Sequence, residues 1–249
     1  MINEIYSEII NGSGYFLHSG FNNNETIKVK NYIEKKFLNR IKELSESNYN
    51  IFRKKGISNY HLNSNLIDHS KAWPRHIRLF DEEGIKIFKN TSFYFFLEKV
   101  FKKIQITNEI HNLEPEIVWR LVRPGSKNDV GPLHTDQWFW KINNWSVPKN
   151  KTCIKIWIML GGEPKKSGLR VVANSQKNKK WIYSIIKKDG IVKPLFNEDT
   201  NKLKINILPT QPGNAVIFSY DLLHGGMVTK GDECRLSMEF TIFVNKVLS

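Results

Sequence analysis

The sequence predicts an α+β fold in which a helical N-terminal half packs against a mainly β core. Two observations predict this fold class. Apolar residues recur at helical spacing within the first hundred residues, and short β-like runs separated by turn residues follow from about residue 115. Because no helical pattern interrupts these runs, an antiparallel sandwich or barrel is expected. We therefore expect a single domain over residues 1–249, with a mainly helical part at 1–112 and the β core at 113–249.

The helical half contains two segments with recognisable start signals. Asn22-Asn23-Asn24 supplies N-cap side chains, and the apolar residues after it recur every three or four positions, which predicts a helix of about 20 residues. That apolar stripe consists of Val29, Ile33, Phe37, Ile41 and Leu44. A second helix is expected to start at Ser92 and to continue through Ile104. Residues 48–90 show no clear periodicity, so no element is assigned to them.

Six β-like runs make up the predicted core. They are short and are bounded by turn pairs such as Pro212-Gly213 and Gly231-Asp232. The runs are Glu116–Val122, Thr152–Leu160, Gly168–Ala173, Lys204–Leu208, Asn214–Ser219 and Arg235–Val244. Many short strands joined by turns are typical of antiparallel sandwiches and barrels.

Composition excludes several classes of protein. The 249 residues are 40% hydrophobic and 12% aromatic, which argues against disorder. No apolar run of about 18 residues is present to form a membrane-spanning helix. Residues 1–11 contain Glu4 and Glu8 and lack the basic and apolar stretches of a secretory signal. Two cysteines, Cys153 and Cys234, are too few for a disulfide framework, so we expect reduced thiols in a cytoplasmic protein. The sequence does not predict the oligomeric state.

The positive charge of the chain is concentrated in one segment. The formal net charge is +14, and residues 149–204 hold thirteen Lys and Arg170 against four acidic residues, a net +10. One interpretation is a solvated, Lys-rich surface. The other is an electrostatic funnel for an anionic substrate. Nucleic acid is the less favoured partner, because the segment lacks the Arg content and the aromatic interleaving of a dedicated nucleic-acid binder.

Two histidines and one aspartate stand out from the rest of the chain. His134-Thr135-Asp136 follows a turn, and in a strand the side chains at i and i+2 point to one face, so these two side chains would converge. His224 comes after the predicted strand that ends at Ser219. Two histidines and one carboxylate form the facial triad of non-haem Fe(II) oxygenases, which leaves three octahedral positions open. The sequence therefore predicts an Fe(II) site.

An arginine in the last predicted strand suits the cosubstrate of such an iron site. Arg235-Leu236-Ser237 repeats the i, i+2 spacing with a guanidinium and a hydroxyl. A cosubstrate with adjacent keto and carboxylate oxygens would fill two of the open positions and leave the last for O₂. Its far carboxylate needs an always-charged, bidentate partner, which Arg supplies better than Lys. These residues and their order along the chain predict a 2-oxoglutarate pocket.

The motifs around these residues resemble those of the phytanoyl-CoA dioxygenase family. The resemblance covers about residues 115–245, and Gly14-Tyr15-Phe16 is similar to the opening strand of the family. The stretch Ala173-Asn174-Ser175-Gln176 departs from the usual Gly-Ser-His, which concerns a turn near the pocket and not the metal site. The motifs that carry the resemblance are Gly131-Pro132-Leu133-His134-Thr135-Asp136-Gln137, Ile156-Trp157-Ile158-Met159-Leu160, Gly168-Leu169-Arg170-Val171-Val172-Ala173-Asn174-Ser175, Pro212-Gly213-Asn214-Ala215-Val216-Ile217-Phe218 and His224-Gly225-Gly226.

This resemblance implies an Fe(II)- and 2-oxoglutarate-dependent oxygenase with a double-stranded β-helix (jelly-roll) core. Carried over to this chain, His134, Asp136 and His224 would bind iron, while Arg235 and Ser237 would hold the far carboxylate of 2-oxoglutarate. The implied reaction uses O₂, decarboxylates 2-oxoglutarate to succinate and hydroxylates a substrate. Related halogenases have Gly or Ala at the aspartate position, so the retained Asp136 argues for hydroxylation or demethylation.

The expected substrate is a small polar metabolite, and the basic segment favours an anionic one. Five residues are candidates for contacting it. Two arginines, Arg120 and Arg123, precede the metal-binding tripeptide and suit a carboxylate or phosphate. Gln137 and Trp138 follow the tripeptide directly, and Trp157 lies in an apolar run, where it is equally explained as a core residue.

Two alternatives to this function stay open. The first is a nucleic-acid demethylase that uses the same chemistry, motivated by the basic composition. The second is a non-oxidative jelly-roll metal-binding protein or isomerase, in which Arg235 would have no assigned role.

Overall fold

The computed structural model describes residues 2–107, 114–178, 180–188, 191–208 and 211–246. Helices dominate before residue 102, and strands dominate after it. The helices are α1 (Ile2–Ile10), α2 (Asn23–Leu44), α3 (Tyr49–Lys55), α4 (His69–Ala72), α5 (Glu82–Lys89), α6 (Ser92–Phe101) and α7 (Asp136–Ile142). The strands are β1 (Tyr15–His18), β2 (Gln105–Thr107), β3 (Ile117–Val122), β4 (Lys151–Gly161), β5 (Leu169–Val172), β6 (Tyr183–Lys188), β7 (Ile191–Phe196), β8 (Ile205–Leu208), β9 (Ala215–Ser219), β10 (His224–Gly226) and β11 (Arg235–Asn245).

Helix α2 confirms the first helix prediction. It begins with a capping box: the Asn22 side chain accepts a hydrogen bond from the Glu25 backbone N–H, and the Glu25 side chain accepts one from the Asn22 backbone N–H. The first four residues of the predicted stripe are fully buried, whereas Leu44 at the last turn is 39% exposed. The stripe therefore lies against the core along most of the helix.

Helix α6 starts at Ser92 as predicted but ends three residues earlier than expected. The Thr91 side chain accepts a hydrogen bond from the Tyr94 backbone N–H, which caps the start. Lys102 has a φ of 60°, a conformation that a right-handed helix does not continue through, so Ile104 lies outside it. The region 48–90, which showed no periodicity in the sequence, contains the short helices α3 to α5 and two 3-10 helices, Ile57–Leu66 and Arg75–Arg78.

The strands form two facing antiparallel sheets and a separate hairpin. The large sheet has the order β1-β9-β4-β11-β2, with β3 also paired to β11. The small sheet has the order β10-β5-β8, and β6 pairs only with β7 among the described strands. All six predicted runs are strands, each within two residues of its predicted ends. The jelly-roll core expected from the sequence is confirmed.

The two faces of the large sheet pack against different layers. Alternate residues of β11, such as Leu236 and Met238, join Ile33 and Phe37 of α2 in the main hydrophobic core. On the opposite face, Trp157 of β4 packs with residues of β5 and β9 between the two sheets. The helical half therefore supports the outer face of the large sheet, and the inner face is left for the site. The predicted boundary between the two parts, at residues 112 and 113, lies outside the described residues.

Replacing Phe37 with alanine is expected to lower the free energy of unfolding by about 3–5 kcal/mol, because a large buried ring is lost and a cavity remains. The Phe37 ring is fully buried and stacks on Trp73 with a centroid distance of 5.1 Å. Ile27→Ala on the same helix is the control, since Ile27 is 56% exposed. Urea unfolding measures both variants, and equal losses would contradict the placement of α2 on the core.

None of the helices in the described ranges has both the length and the hydropathy that a membrane span requires.

Candidate metal centre and cosubstrate pocket

The two predicted histidines lie side by side at the edge of the small sheet. His134 and His224 form an isolated antiparallel bridge, with both backbone N–H to O distances at 2.9 Å. The ring centroids are 4.6 Å apart. His224 is the first residue of β10, so a strand end positions one imidazole and the bridge positions the other.

The prediction that Asp136 lies on a strand with His134 is wrong. Asp136 is the first residue of α7, and Thr135 before it has extended dihedral angles, φ −110° and ψ 146°. An acidic residue in the first turn suits the positive end of a helix, which explains why the chain turns into a helix here. The single extended residue between them still leaves the His134 and Asp136 side chains on the same side.

The three side chains converge on one point. One ligand atom from each of His134, Asp136 and His224 can be chosen so that all three atoms lie within 4.8 Å of one another. His224 Nε2 lies 3.6 Å from Asp136 Oδ2. Asp136 Oδ2 is buried and has no hydrogen-bond partner among the described residues. A buried carboxylate oxygen of this kind fits a metal ion, because burying it without a partner is otherwise costly.

Backbone carbonyls orient both imidazoles for metal binding. His134 Nδ1 lies 2.9 Å from the Pro132 carbonyl oxygen, and His224 Nδ1 lies 2.9 Å from the Leu222 carbonyl oxygen. A carbonyl only accepts, so each Nδ1 carries the proton and donates it. Each Nε2 is then left with its lone pair, which is the state a metal-binding histidine needs.

Burial and charge set the protonation of this cluster. Burial lowers the pKa of His224 to about 4, so its imidazole is neutral at neutral pH. Burial alone would raise the pKa of Asp136, but nearby positive charge, first of all that of Lys155, outweighs burial and holds that pKa below its usual value. The residues present therefore match the donor set of an iron site: two imidazoles and one carboxylate.

Arg235 and Ser237 lie on the inner face of β11. Arg235 is 2% exposed, and its Nη1 donates to the carbonyl oxygens of Gly168 at 2.7 Å and Met227 at 3.1 Å. Its Nε and the Ser237 hydroxyl have no hydrogen-bond partner among the described residues. A fixed guanidinium edge beside a buried hydroxyl can bind a carboxylate.

Two neighbours shape the space around this guanidinium. The Trp157 ring lies 5.6 Å from the Arg235 guanidinium carbon, close enough for a cation–π interaction. A Cβ atom placed on Gly226 would lie 3.0 Å from Arg235 Nη2, so a side chain there would crowd the guanidinium. Trp157 therefore contacts the predicted cosubstrate residue and also belongs to the core between the sheets.

The other four substrate candidates have partners within the protein. Arg120 forms an ion pair with Glu239 of β11 on the inner face. Arg123 binds Asp129, with Nε to Oδ2 at 2.9 Å and Nη2 to Oδ1 at 2.8 Å. The backbone N–H of Gln137 donates to the Tyr220 carbonyl oxygen. The substrate role of Arg120, Arg123 and Gln137 stays a prediction.

Trp138, the remaining candidate, connects the metal cluster to the β6–β7 hairpin. Its ring stacks on Tyr183 at a centroid distance of 4.4 Å and on Phe196 at 6.2 Å. Because Trp138 comes two residues after Asp136, this aromatic stack joins the base of the hairpin to α7. The hairpin was not predicted from the sequence, although Asp-Gly, which occurs at positions 189 and 190, is a common hairpin signal.

A buried lysine and a partly buried glutamate near the cluster were also missed. Lys155 Nζ lies 3.5 Å from Asp136 Oδ1, and Glu239 lies on the inner face next to Ser237 along β11. The available signal was a lysine inside an apolar run and a strand whose alternate residues, 235 to 241, are all polar.

The turn at residues 173–176, whose sequence departs from the family pattern, has a well-defined conformation. Asn174 has a φ of 65°, in the left-handed region that Asn tolerates better than most residues. The Ser175 hydroxyl then accepts a hydrogen bond from the Leu223 backbone N–H, directly before His224. This turn therefore supports the strand that carries one histidine of the cluster.

The ion pair of Arg123 with Asp129 predicts a pH dependence of stability. Burial would raise the pKa of Asp129, but hydrogen bonds from Arg123 outweigh burial and hold that pKa below its usual value. A lowered pKa stabilises the folded state above the unfolded value of about 3.9, and this contribution is lost as the pH falls through the folded value. Asp129→Asn is therefore expected to lower the free energy of unfolding at pH 7, with a smaller difference from the wild type at pH 3.

Urea unfolding at both pH values measures this difference. Asp232→Asn, at an exposed position, is the control and is expected to change stability by no more than about 0.5 kcal/mol. A loss in Asp129→Asn that is the same at pH 7 and pH 3 would contradict the ionic origin.

Comparison with known proteins points to one family. The sequence profile of the phytanoyl-CoA dioxygenase (PhyH) family matches residues 35–236. Among solved structures, the apo form of the non-heme monooxygenase ThoJ aligns over 98% of this chain and 77% of its own, with a TM-score of 0.57 and 9% identity. AviO1 from Streptomyces viridochromogenes Tue57 aligns over 100% of this chain and 97% of its own (TM-score 0.53, 11% identity). EctD from S. alaskensis aligns over 100% of this chain and 79% of its own (TM-score 0.53, 12% identity).

These structural likenesses, at such low identity, show a shared fold. No protein with curated annotation matches the chain significantly.

Proposed function

Since this chain belongs to the phytanoyl-CoA dioxygenase family of Fe(II)- and 2-oxoglutarate-dependent oxygenases, we propose that His134, Asp136 and His224 bind its iron. We further propose that Arg235 and Ser237 bind the far carboxylate of 2-oxoglutarate. The observation that supports this assignment is the convergence of one possible ligand atom from each of the three side chains within 4.8 Å of one another, together with a buried Asp136 oxygen that has no hydrogen-bond partner among the described residues. Arg235, whose Nε has no hydrogen-bond partner among the described residues, lies on the same inner face of the barrel.

The protein's own side chains then have separable tasks in the reaction. Iron, when bound, supplies the redox chemistry that couples decarboxylation of 2-oxoglutarate to oxidation of the substrate by O₂. His134, Asp136 and His224 would hold the metal. Arg235 orients the cosubstrate through the charge and the planar shape of its guanidinium group. The apolar residues around Trp157 keep water out of the space between the sheets.

We propose hydroxylation of a small anionic metabolite as the specific reaction. The support comes from the segment 149–204, whose net charge is +10. The hairpin in this segment carries the exposed Lys187, and its base stacks on Trp138 beside the metal cluster. Positive charge on the segment that contacts the site would attract anions and raise their association rate.

We also propose that residues 1–249 act as one oxygenase domain in the cytoplasm. The family match at 35–236 spans both the helical half and the jelly roll, which supports a single unit. Both cysteines are buried, free thiols, which suits a reducing compartment.

Anaerobic addition of Fe(II) and 2-oxoglutarate tests the assignment of the site. A weak visible charge-transfer band that needs both additions is expected, followed by succinate release when O₂ and a substrate are supplied. Protein that binds neither the metal nor 2-oxoglutarate would overturn the proposal and favour a non-oxidative jelly-roll protein.

Matched pairs of compounds test the proposed substrate class. Carboxylates and phosphates are compared with their neutral amides or esters, and succinate release is measured at low and high ionic strength. Turnover of the anionic member is expected to be the higher and to fall with added salt, whereas the neutral member shows no salt effect. Equal turnover within pairs would contradict an anionic substrate.

Single-stranded DNA tests the demethylase alternative in the same assay. Salt-dependent binding of DNA together with DNA-stimulated succinate release would favour demethylation over metabolite hydroxylation.

A further inference from the structure

A lysine is buried directly beside the carboxylate of the metal cluster. Lys155 Nζ lies 3.5 Å from Asp136 Oδ1, and the two side chains are only 7% and 10% exposed. Lys155 belongs to β4, where every residue from Cys153 to Leu160 is buried and all the others in that run are apolar. A charged side chain at this position requires a specific explanation, since burying an ammonium group is costly.

Stability alone does not explain the lysine. A buried ion pair contributes little net stability, and well-packed apolar residues in its place are often neutral or stabilising. The rest of this stretch of β4 shows that apolar residues fit the strand. A role at the metal cluster therefore explains Lys155 better than a stabilising role does.

The two oxygens of Asp136 have different surroundings. Oδ1 faces Lys155, whereas Oδ2 lies 3.6 Å from His224 Nε2 and has no hydrogen-bond partner among the described residues. One oxygen is thus engaged by a cation and the other is directed at the histidines. A carboxylate with both oxygens available could bind a metal ion through either one or both of them.

We propose that Lys155 is a positioning residue that holds Oδ1 of Asp136, so that this side chain presents only Oδ2 to the metal. The inference rests on the proposed role of Asp136 as an iron ligand. A carboxylate that binds through one oxygen leaves three octahedral positions open, as many as 2-oxoglutarate and O₂ need together. Lys155 acts through Asp136 and has no contact of its own with the cosubstrate in this scheme.

Other charged residues lie near Lys155 on the inner face of the sheet. Lys155 pairs in register with Thr241 of β11, and Glu239 is the preceding inward-facing residue of that strand. Arg120 contacts Glu239, and the charges of Arg120 and Lys155 together hold the pKa of Glu239 far below its usual value. Asp136, Lys155, Glu239 and Arg120 thus form a row of alternating charge across the sheet.

Substitutions at position 155 test this role by a spectroscopic measurement. Lys155→Met removes the charge and keeps the length, Lys155→Arg keeps the charge, and Lys151→Met on the same face of β4 is the control, since Lys151 binds Asn245 at the surface. Each variant is titrated anaerobically with 2-oxoglutarate in the presence of Fe(II), and the charge-transfer band reports binding. The visible spectrum of the Co(II) form reports the coordination number.

Lys155→Met is expected to weaken 2-oxoglutarate binding by about 10–100-fold, the usual effect of losing a residue that orients a metal ligand. The Co(II) spectrum is expected to shift to a higher coordination number. Lys155→Arg should restore part of the affinity, and Lys151→Met should match the wild type. If Lys155→Met does not fold, Lys155→Gln, which keeps a hydrogen-bond donor, is measured in the same way and is expected to retain the wild-type Co(II) spectrum.

The outcomes separate this inference from the proposed function. A wild-type protein without the charge-transfer band would overturn the proposed function itself. A wild-type band together with an unchanged 2-oxoglutarate affinity and Co(II) spectrum in a folded Lys155→Met variant would overturn only the role of Lys155. In the Gln variant, a Co(II) spectrum that shifts to a higher coordination number, although a donor is present, would count against positioning as well.

Discussion

Replacing His224 with alanine is expected to lower the affinity for Fe(II) by more than about 100-fold, because residues that merely orient metal ligands already contribute 10–100-fold. His224 supplies one of the three donor atoms within 4.8 Å of one another, and in the described part of the chain no other group of three such side chains converges. Its Nδ1 donates to the Leu222 carbonyl oxygen, so the substitution removes an oriented Nε2 and not a mobile one. Anaerobic calorimetric titration with Fe(II) measures the affinity.

The control for this prediction is a histidine on the surface. His76→Ala, at an exposed position in the helical half, is expected to bind Fe(II) as the wild type does. Circular dichroism verifies that His224→Ala is folded. A folded His224→Ala variant with wild-type affinity for Fe(II) would show that the three residues do not form the metal site.

Replacing Arg235 with methionine is expected to weaken 2-oxoglutarate binding by more than about 100-fold while Fe(II) affinity stays unchanged. Two charge-assisted hydrogen bonds contribute about 1.5–3 kcal/mol each, and about 1.4 kcal/mol corresponds to a factor of ten. Burial lowers the pKa of Arg235 to about 10, so the guanidinium is still charged at neutral pH. The anaerobic charge-transfer titration measures the cosubstrate, and calorimetry measures the metal.

Two further variants sharpen the result for Arg235. Arg235→Lys keeps the charge but loses the planar guanidinium and its paired N–H donors, so an intermediate affinity for 2-oxoglutarate is expected. Arg53→Met, at an exposed position on α3, should have no effect. Equal loss of metal and cosubstrate binding in Arg235→Met would indicate a disrupted fold, because Arg235 also holds the carbonyls of Gly168 and Met227. Unchanged 2-oxoglutarate binding in that variant would contradict the assigned role.

The elements with strong local signals were predictable from the sequence. Helix α2 has a capping residue and an apolar stripe at helical spacing, and both the start and the buried face were correct. The strands of the core have β-branched residues and turn pairs at their ends. The elements that were missed, such as α1 and the β6–β7 hairpin, lack such a combination or lie within the Lys-rich segment, where composition suggested a solvated surface.

The error at Asp136 shows where a local pattern is ambiguous. His134-Thr135-Asp136 fits a strand by alternation, but Thr and Asp are also typical of the first residues of a helix. The extended conformation continues for only one residue beyond the bridge between His134 and His224, and α7 then begins at Asp136. Both readings bring the two side chains to one side, so the predicted convergence did not depend on which one was correct.

Residue chemistry and order along the chain determined, without coordinates, the kind of fold and the five residues proposed for iron and 2-oxoglutarate. These are local properties: periodicity reveals buried faces, and ligand chemistry restricts the residue types. Only the tertiary structure decided which charges meet, namely Lys155 with Asp136, Arg120 with Glu239 and Arg123 with Asp129. The first two pairings depend on how β3, β4, β11 and α7 are placed against one another, and strand register in a sheet is set by the packing of the whole barrel.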